Sequence, residues 1–83
     1  MKIQVRYFAS LRETIGLPSE TVNTDCANVA DLRLQLIARG EPYAEALAPT
    51  RPVRVAVNQV MAQDATALTS DCEVAFFPPV TGG

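Results

Sequence analysis

Apolar residues occupy every second position at the start of the chain. Met1, Ile3, Val5, Tyr7 and Ala9 fall on one side, and Lys2, Gln4 and Arg6 on the other. A period of two over this length predicts a strand with one buried face. Phe8 interrupts the pattern, because it is a large aromatic on the polar side. Ser10-Leu11-Arg12-Glu13 then has the S-x-x-E form of a capping box, which predicts a single helical turn ended by Gly16 and Pro18. Ser19 to Thr24 carries Val22 among polar and β-branched neighbours and reads as a short strand. Antiparallel pairing with the first strand is the economical arrangement, since sequence neighbours usually pair.

The period then changes. Val29, Leu32 and Leu36 recur at helical spacing, with Asn28 as N-cap, Asp31 in the first turn and Gly40 just beyond the end. This predicts a helix over Asn28 to Arg39. Pro42 opens a further turn through Tyr43, Ala44 and Leu47, and Pro49 and Pro52 then exclude regular structure. Val53, Val55 and Val57 alternate with Arg54, Ala56 and Asn58 as a strand. Asn58-Gln59 suits a turn into a short return strand at Val60-Met61. Leu68 reads as a core plug before the polar turn Thr69-Ser70-Asp71. In the last strand, Glu73 to Phe77, Val74 and Phe76 go inward while Ala75 and Phe77 go outward. Pro78-Pro79 stops it, because neither residue can donate to a ladder.

The order is β-β-α-β-β, an α+β domain over residues 1–79 with an exposed, flexible tail over 80–83. The long amphipathic helix must cover one face of a mixed sheet of four to five strands. A ubiquitin-like β-grasp domain has this order, with its first and last strands parallel at the centre. A ferredoxin-like domain differs by one helix.

Composition narrows the chemistry. The chain has 83 residues, enough for one domain, with 48% hydrophobic and 19% charged residues, a globular balance. Seven basic and nine acidic residues give a net charge of −2, so nothing at the chain level favours a nucleic-acid partner. Histidine is absent, which excludes Ser-His-Asp triads, Cys-His nucleophiles and histidine-ligated zinc. Cys26 and Cys72 are far apart and lack CxxC spacing, so no metal site is expected and both read as free thiols. No signal-like start and no run of about 20 apolar residues is present, so the expectation is a cytoplasmic protein with no membrane partner.

The end of the chain carries the most information. A core strand leaves through two prolines and reaches Gly82-Gly83 after Val80 and Thr81. Two glycines in these positions would arise by chance in about 0.5% of chains. Glycine lacks Cβ, so such a tail is narrow enough to thread a tight channel and present an α-carboxylate in another protein's active site. The prolines stiffen its exit. By itself this feature is equally consistent with a frayed terminus.

Glu73-Val74-Ala75-Phe76-Phe77-Pro78-Pro79-Val80-Thr81-Gly82-Gly83 resembles the C-terminus of the molybdopterin synthase small subunits, a ubiquitin-like family of sulfur carriers. Val5 to Glu13 resembles the family's opening, and Val57-Asn58-Gln59 its central strand and turn. The likeness spans essentially the whole chain. It implies that an E1-like adenylating enzyme uses ATP to activate the carboxylate of Gly83. Sulfur then replaces the adenylate, leaving a covalent C-terminal thiocarboxylate. The tail, with Gly82, Thr81 and Val80 as spacers, enters the synthase large subunit, where sulfur passes to a cyclic pyranopterin precursor. No bound cofactor is implied, and no catalytic group of the carrier's own. The family often has Asp-Gly-Asp before the last strand, whereas this chain has Ser70-Asp71-Cys72; aspartate tolerates a left-handed turn there.

Alternation places Phe8 and Phe77 away from the helix-covered face. If their strands are central neighbours, both rings and Pro78 share one exposed patch beside the tail, which suits a partner. Arg12 matches a family position and could meet a partner's acid. Three rival readings remain: the sulfur carrier of thiamine biosynthesis, a ubiquitin-like modifier conjugated to lysines, and an interaction module whose glycines are incidental.

Overall fold

The computed structural model describes residues 1–79. Its elements are strand β1 (Lys2–Tyr7), helix α1 (Ala9–Ile15), β2 (Ser19–Asn23), α2 (Val29–Ile37), α3 (Tyr43–Ala46), β3 (Arg54–Val57), β4 (Val60–Met61) and β5 (Glu73–Phe77). The five strands form one mixed sheet in the order β2-β1-β5-β3-β4. β1 pairs antiparallel with β2 and parallel with β5, with Val5 opposite Val74 and Tyr7 opposite Phe76. This is the β-grasp arrangement, with the first and last strands adjacent at the centre.

The core lies between one face of the sheet and the helices. Ile3, Val5 and Tyr7 of β1, Val22 of β2 and Val74 and Phe76 of β5 all bury fully, as do Leu32 and Leu36 of α2. Each strand residue comes from the apolar half of its alternation, so the period-two pattern and the burial agree. Leu68 and Cys72 also belong to this core. Local chemistry sets the boundaries. Asn28 Oδ1 accepts from the Asp31 N–H at 2.9 Å and starts α2. Gly40 takes φ 87° and turns the chain after it. Asn58 and Gln59, at φ 50° and 68°, make the tight β3–β4 hairpin, and Asp71 sits at φ 65° in the turn before β5. A side chain seldom adopts these angles, and asparagine and aspartate do so most readily.

The structure corrects the sequence reading in the first loop. β1 stops at Tyr7 rather than Ala9, and a helix of seven residues replaces the single turn. Its N-cap is Phe8, with no side-chain cap, and Ser10 lies inside the helix rather than capping it. Leu11 and Ile15 explain the difference. They sit one turn apart and both bury, so core packing holds α1 where the capping box would have started it later. Gly16, at φ 87°, donates its N–H to the Arg12 carbonyl and ends the helix. The turn expected after Pro42 is α3, and α2 is the longest of the described helices, the main helix expected over the sheet. No helix among the described residues is long and apolar enough to cross a membrane.

Candidate functional site on the open face of the sheet

No helix among the described residues covers the second face of the sheet. Lys2, Gln4 and Arg6 point there from β1, and burial alternates strictly along the strand. Phe8 continues the extended backbone at φ −124°, ψ 155° and keeps to the same side. From β5 come Glu73, Ala75 and Phe77, each half-buried. Arg54 and Ala56 follow on β3, and Met61 sits beside Ala56 on β4.

Register brings the two outward phenylalanines together. Arg6 lies opposite Ala75 and Tyr7 opposite Phe76. The Phe8 N–H then donates to the Phe76 carbonyl at 3.1 Å, adding a last rung beyond β1. Phe8 is therefore beside Phe77 where the chain leaves the sheet. Phe8 is 37% exposed, a large apolar surface for a side chain on an uncovered sheet. Pro78 and Pro79 follow Phe77 and are half-buried. Ala56 and Ala75 keep the middle of the face low, and Met61 adds an exposed thioether at its edge.

Charge borders this patch. The Arg6 guanidinium lies 5.2 Å from the centroid of the Phe8 ring and 3.2 Å from a Glu73 carboxylate oxygen. A half-exposed ion pair of this kind contributes at most about 1 kcal/mol, so its main effect is to orient the arginine along the ring. Arg54 is opposite Phe77 across the β3–β5 ladder. Arg12 is exposed on α1, one turn beyond Phe8, and forms no ion pair among the described residues.

The hairpin next to β5 fixes where that strand begins. Asn58 Oδ1 accepts from the Glu73 N–H at 2.9 Å, and the Asn58 N–H donates to the Glu73 carbonyl at 2.8 Å. Asn58 is thus a turn former, as its sequence context indicates.

On the opposite side of the sheet, a polar cluster supports the end of β1. The hydroxyls of Tyr7 and Tyr43 both donate to one oxygen of Glu20, at 3.0 and 2.7 Å, and Arg39 donates to the other at 2.8 Å. Burial alone would raise the Glu20 carboxyl, but the hydrogen bonds from Arg39, Tyr43 and Tyr7 outweigh it and hold it below the usual range. Burial, and then the Glu20 charge, push the Tyr7 hydroxyl well above its ordinary value. The Tyr7 ring stacks on Phe76 at 6.3 Å, which ties this cluster to the strand that carries Phe77.

The sequence pointed to Phe8, Phe77, Pro78 and Arg12, and the structure gathers all four at one end of the sheet. Val80, Thr81, Gly82 and Gly83 lie outside the described residues. Arg54, Met61 and the Arg6–Glu73 pair were not foreseen. Their signal is the register of β5 with β1 and β3 and of β3 with β4, most of which involves residues far apart in the chain. No group of three or more potential metal ligands occurs among the described residues.

Residues 5–83 match the ThiS family. The chain belongs to the ThiS family. Among curated relatives, the molybdopterin synthase sulfur carrier subunit of Escherichia coli is 41% identical over 98% of this chain and 99% of its own length. The protein of the same name from Haemophilus influenzae is 37% identical over the same shares. Among solved structures, SAMP1 from Haloferax volcanii superimposes with a TM-score of 0.77 at 27% identity, covering 100% of both chains. The ThiS match reaches Gly83, so the alignment includes the terminal glycine pair as well as the β-grasp body.

Proposed function

We propose that this chain is the sulfur-carrying subunit of a molybdopterin synthase and that Gly83 bears the sulfur. The supporting observation is the full-length identity to carriers of that name, 41% to the Escherichia coli protein, on a fold that leads its last core strand out beside an uncovered apolar patch. In the E1-like adenylating enzyme, the Gly83 carboxylate attacks the α-phosphate of ATP and pyrophosphate leaves. A sulfur donor then displaces AMP, and the carbon–oxygen bond to phosphate gives way to a carbon–sulfur bond. The thiocarboxylate is a good sulfur nucleophile, whereas the parent carboxylate is not.

The chain's own residues dock and project in this reading. Phe8, Phe77 and Pro78 give the synthase large subunit an apolar surface, and Arg12 offers a cation to an acidic partner residue. Thr81 and Val80 carry the narrow Gly82-Gly83 end into the large subunit's site. The carrier supplies no acid, base or metal, so it is non-catalytic by itself. ATP is consumed by its activating partner, a requirement that suits the cytoplasm.

The test is a reconstitution with adenylating enzyme, sulfur donor, ATP, large subunit and pyranopterin precursor. Intact mass should show one oxygen replaced by sulfur on the carrier, and dithiolene product should form. A variant lacking Gly83 should melt at the same temperature and form neither species, since terminal residues contribute little to packing. Undiminished product from that variant would overturn the assignment.

A further inference from the structure

The chain has one lysine, Lys2, and six arginines. Their placement differs. Arg6 and Arg54 lie on the strands beside the last residues of β5, and Arg12 is one helical turn beyond Phe8 on α1. Lys2 lies at the other end, opposite Asn23 of β2. The Met1 α-amine is also at that far end and donates to the Thr24 carbonyl at 3.0 Å.

We propose that this distribution protects the activated carrier from acylating itself. The inference rests on the reading above, in which Gly83 passes through an acyl-adenylate. Such a carbonyl reacts with any neutral amine within reach: a carbon–nitrogen bond forms, the carbon–oxygen bond to phosphate breaks, AMP leaves with the electron pair, and the nitrogen loses a proton to solvent. A lysine, with a pKa of about 10.4, is neutral in about one molecule per thousand at pH 7.4. An arginine never presents a neutral nitrogen. Arginine therefore supplies positive charge near the exit without a nucleophile.

Reach reinforces the chemical difference. Lys2 is two residues before Gln4, which pairs with Glu73, four residues before Phe77. At a strand rise of about 3.3 Å per residue, Lys2 is about 20 Å from Phe77 along the sheet. Residues 78–83 span about 20 Å at full extension. Position 54, by contrast, is a direct cross-strand neighbour of Phe77, with Cα atoms about 5 Å apart in such pairs. A lysine there would stand well within the covalent reach of a six-residue segment leaving Phe77.

The test places a thioester at Gly83 by intein cleavage, which bypasses the adenylating enzyme. Wild type, Lys2→Arg, Arg54→Lys and Arg12→Lys are incubated at neutral pH and treated with hydroxylamine, which removes thioesters and leaves amides. Intact mass and peptide mapping then count internal and intermolecular amides. The two new lysines should each give at least about ten-fold more amide than wild type, and Lys2→Arg should match wild type. Equal amide yields in all four proteins, or efficient acylation of Lys2 in wild type, would overturn the proposal. A parallel incubation with ATP and the adenylating enzyme separates the two readings. ATP-dependent amide confined to the new-lysine variants supports both. Failure of wild type to be adenylated would overturn the sulfur-carrier reading and, with it, the need for protection, while the thioester result would still report the geometry.

Discussion

The backbone N–H of Phe8 donates to the Phe76 carbonyl at 3.1 Å, one rung beyond the last strand residue of β1. That bond sets the Phe8 backbone beside Phe77 at the point where the chain leaves the sheet. It is also where β1 gives way to α1, because Ala9 turns to φ 51°. One residue therefore closes the parallel ladder, caps a helix and presents an aromatic ring to solvent.

Phe8→Ala and Phe77→Ala should weaken docking to a large-subunit partner more than they destabilise the free protein. Phe76, at 1% exposure, is the internal control. Truncating a buried aromatic costs about 3–5 kcal/mol, and Phe76→Ala should melt accordingly lower. Phe8→Ala should cost less than about 1 kcal/mol, a fall of about 4–8 °C or less in a domain of this size. Phe77→Ala should fall between them. Binding should drop by about 2 kcal/mol or more for a hot-spot ring, as read by calorimetry against the partner. A melting loss for Phe8→Ala as large as that for Phe76→Ala would show that the ring supports the core instead.

Much of this site was legible in the sequence because its signals are local. Glu73 to Phe77 alternates cleanly between two stop signals, so the strand boundaries and the outward direction of Phe77 follow from five residues. Asn28 caps a helix through a residue three positions on, and Asn58 and Asp71 mark turns by their tolerance of left-handed angles. The segment after Tyr7 was harder, because two local rules claim it. Alternation extends the strand to Ala9 and the capping box starts a helix at Ser10, whereas burial of Leu11 and Ile15 decides between them. The Glu20 cluster had no local signal at all. Its partners are 13, 19 and 23 residues away, and only the completed fold brings them together.

Asn58 offers a test of backbone strain against hydrogen bonding. Its φ of 50° is left-handed, and its side chain also accepts from the Glu73 N–H. Asn58→Gly removes the hydrogen bond but accepts the angle, and Asn58→Ala removes the bond and retains the strain. The hydrogen bond contributes about 1 kcal/mol and the strain adds about 1–2 kcal/mol. Urea unfolding should therefore rank wild type above Asn58→Gly and Asn58→Ala lowest. An alanine variant as stable as the glycine variant would mean that the turn relaxes to another geometry.

The cysteines should be dispensable for sulfur transfer. Cys26 is half-buried and exchanges hydrogen bonds with Thr24 and Gln35, and Cys72 is buried in the core. The Cys26→Ser, Cys72→Ser variant should load and donate sulfur at the wild-type rate once folded. Stability should fall by about 1–3 kcal/mol, mostly from an unpaired hydroxyl at position 72. Single-turnover transfer from the thiocarboxylated variant is the measurement. Loss of transfer by a folded, fully loaded variant would assign a relay role to a thiol.

Glu20 should give the fold a pH dependence of known sign. Its carboxyl is held below the ordinary range by Arg39, Tyr43 and Tyr7, against the upward pull of burial. A depressed folded value means that its contribution is fully present above the unfolded carboxylate value, about 4.3, and is lost as pH falls through the folded value. Tyr7 has the opposite sign. Its hydroxyl is raised by burial first and by Glu20 second, so its neutral form stabilises the fold below about pH 10 and that contribution disappears in stronger alkali. Glu20→Gln keeps an acceptor for the two tyrosines but removes the ion pair with Arg39. It should cost about 1–2 kcal/mol at neutral pH, allowing for the partial exposure of Arg39. The decisive measurement is urea unfolding of both proteins from about pH 3 to pH 7. Wild type should lose stability on the acid side more steeply than Glu20→Gln, so that the two curves converge as the carboxylate is protonated. Parallel curves over that range would show that the Glu20 carboxyl titrates alike in the folded and unfolded chains, and the cluster would then be a set of neutral hydrogen bonds with no electrostatic contribution to the support of β1.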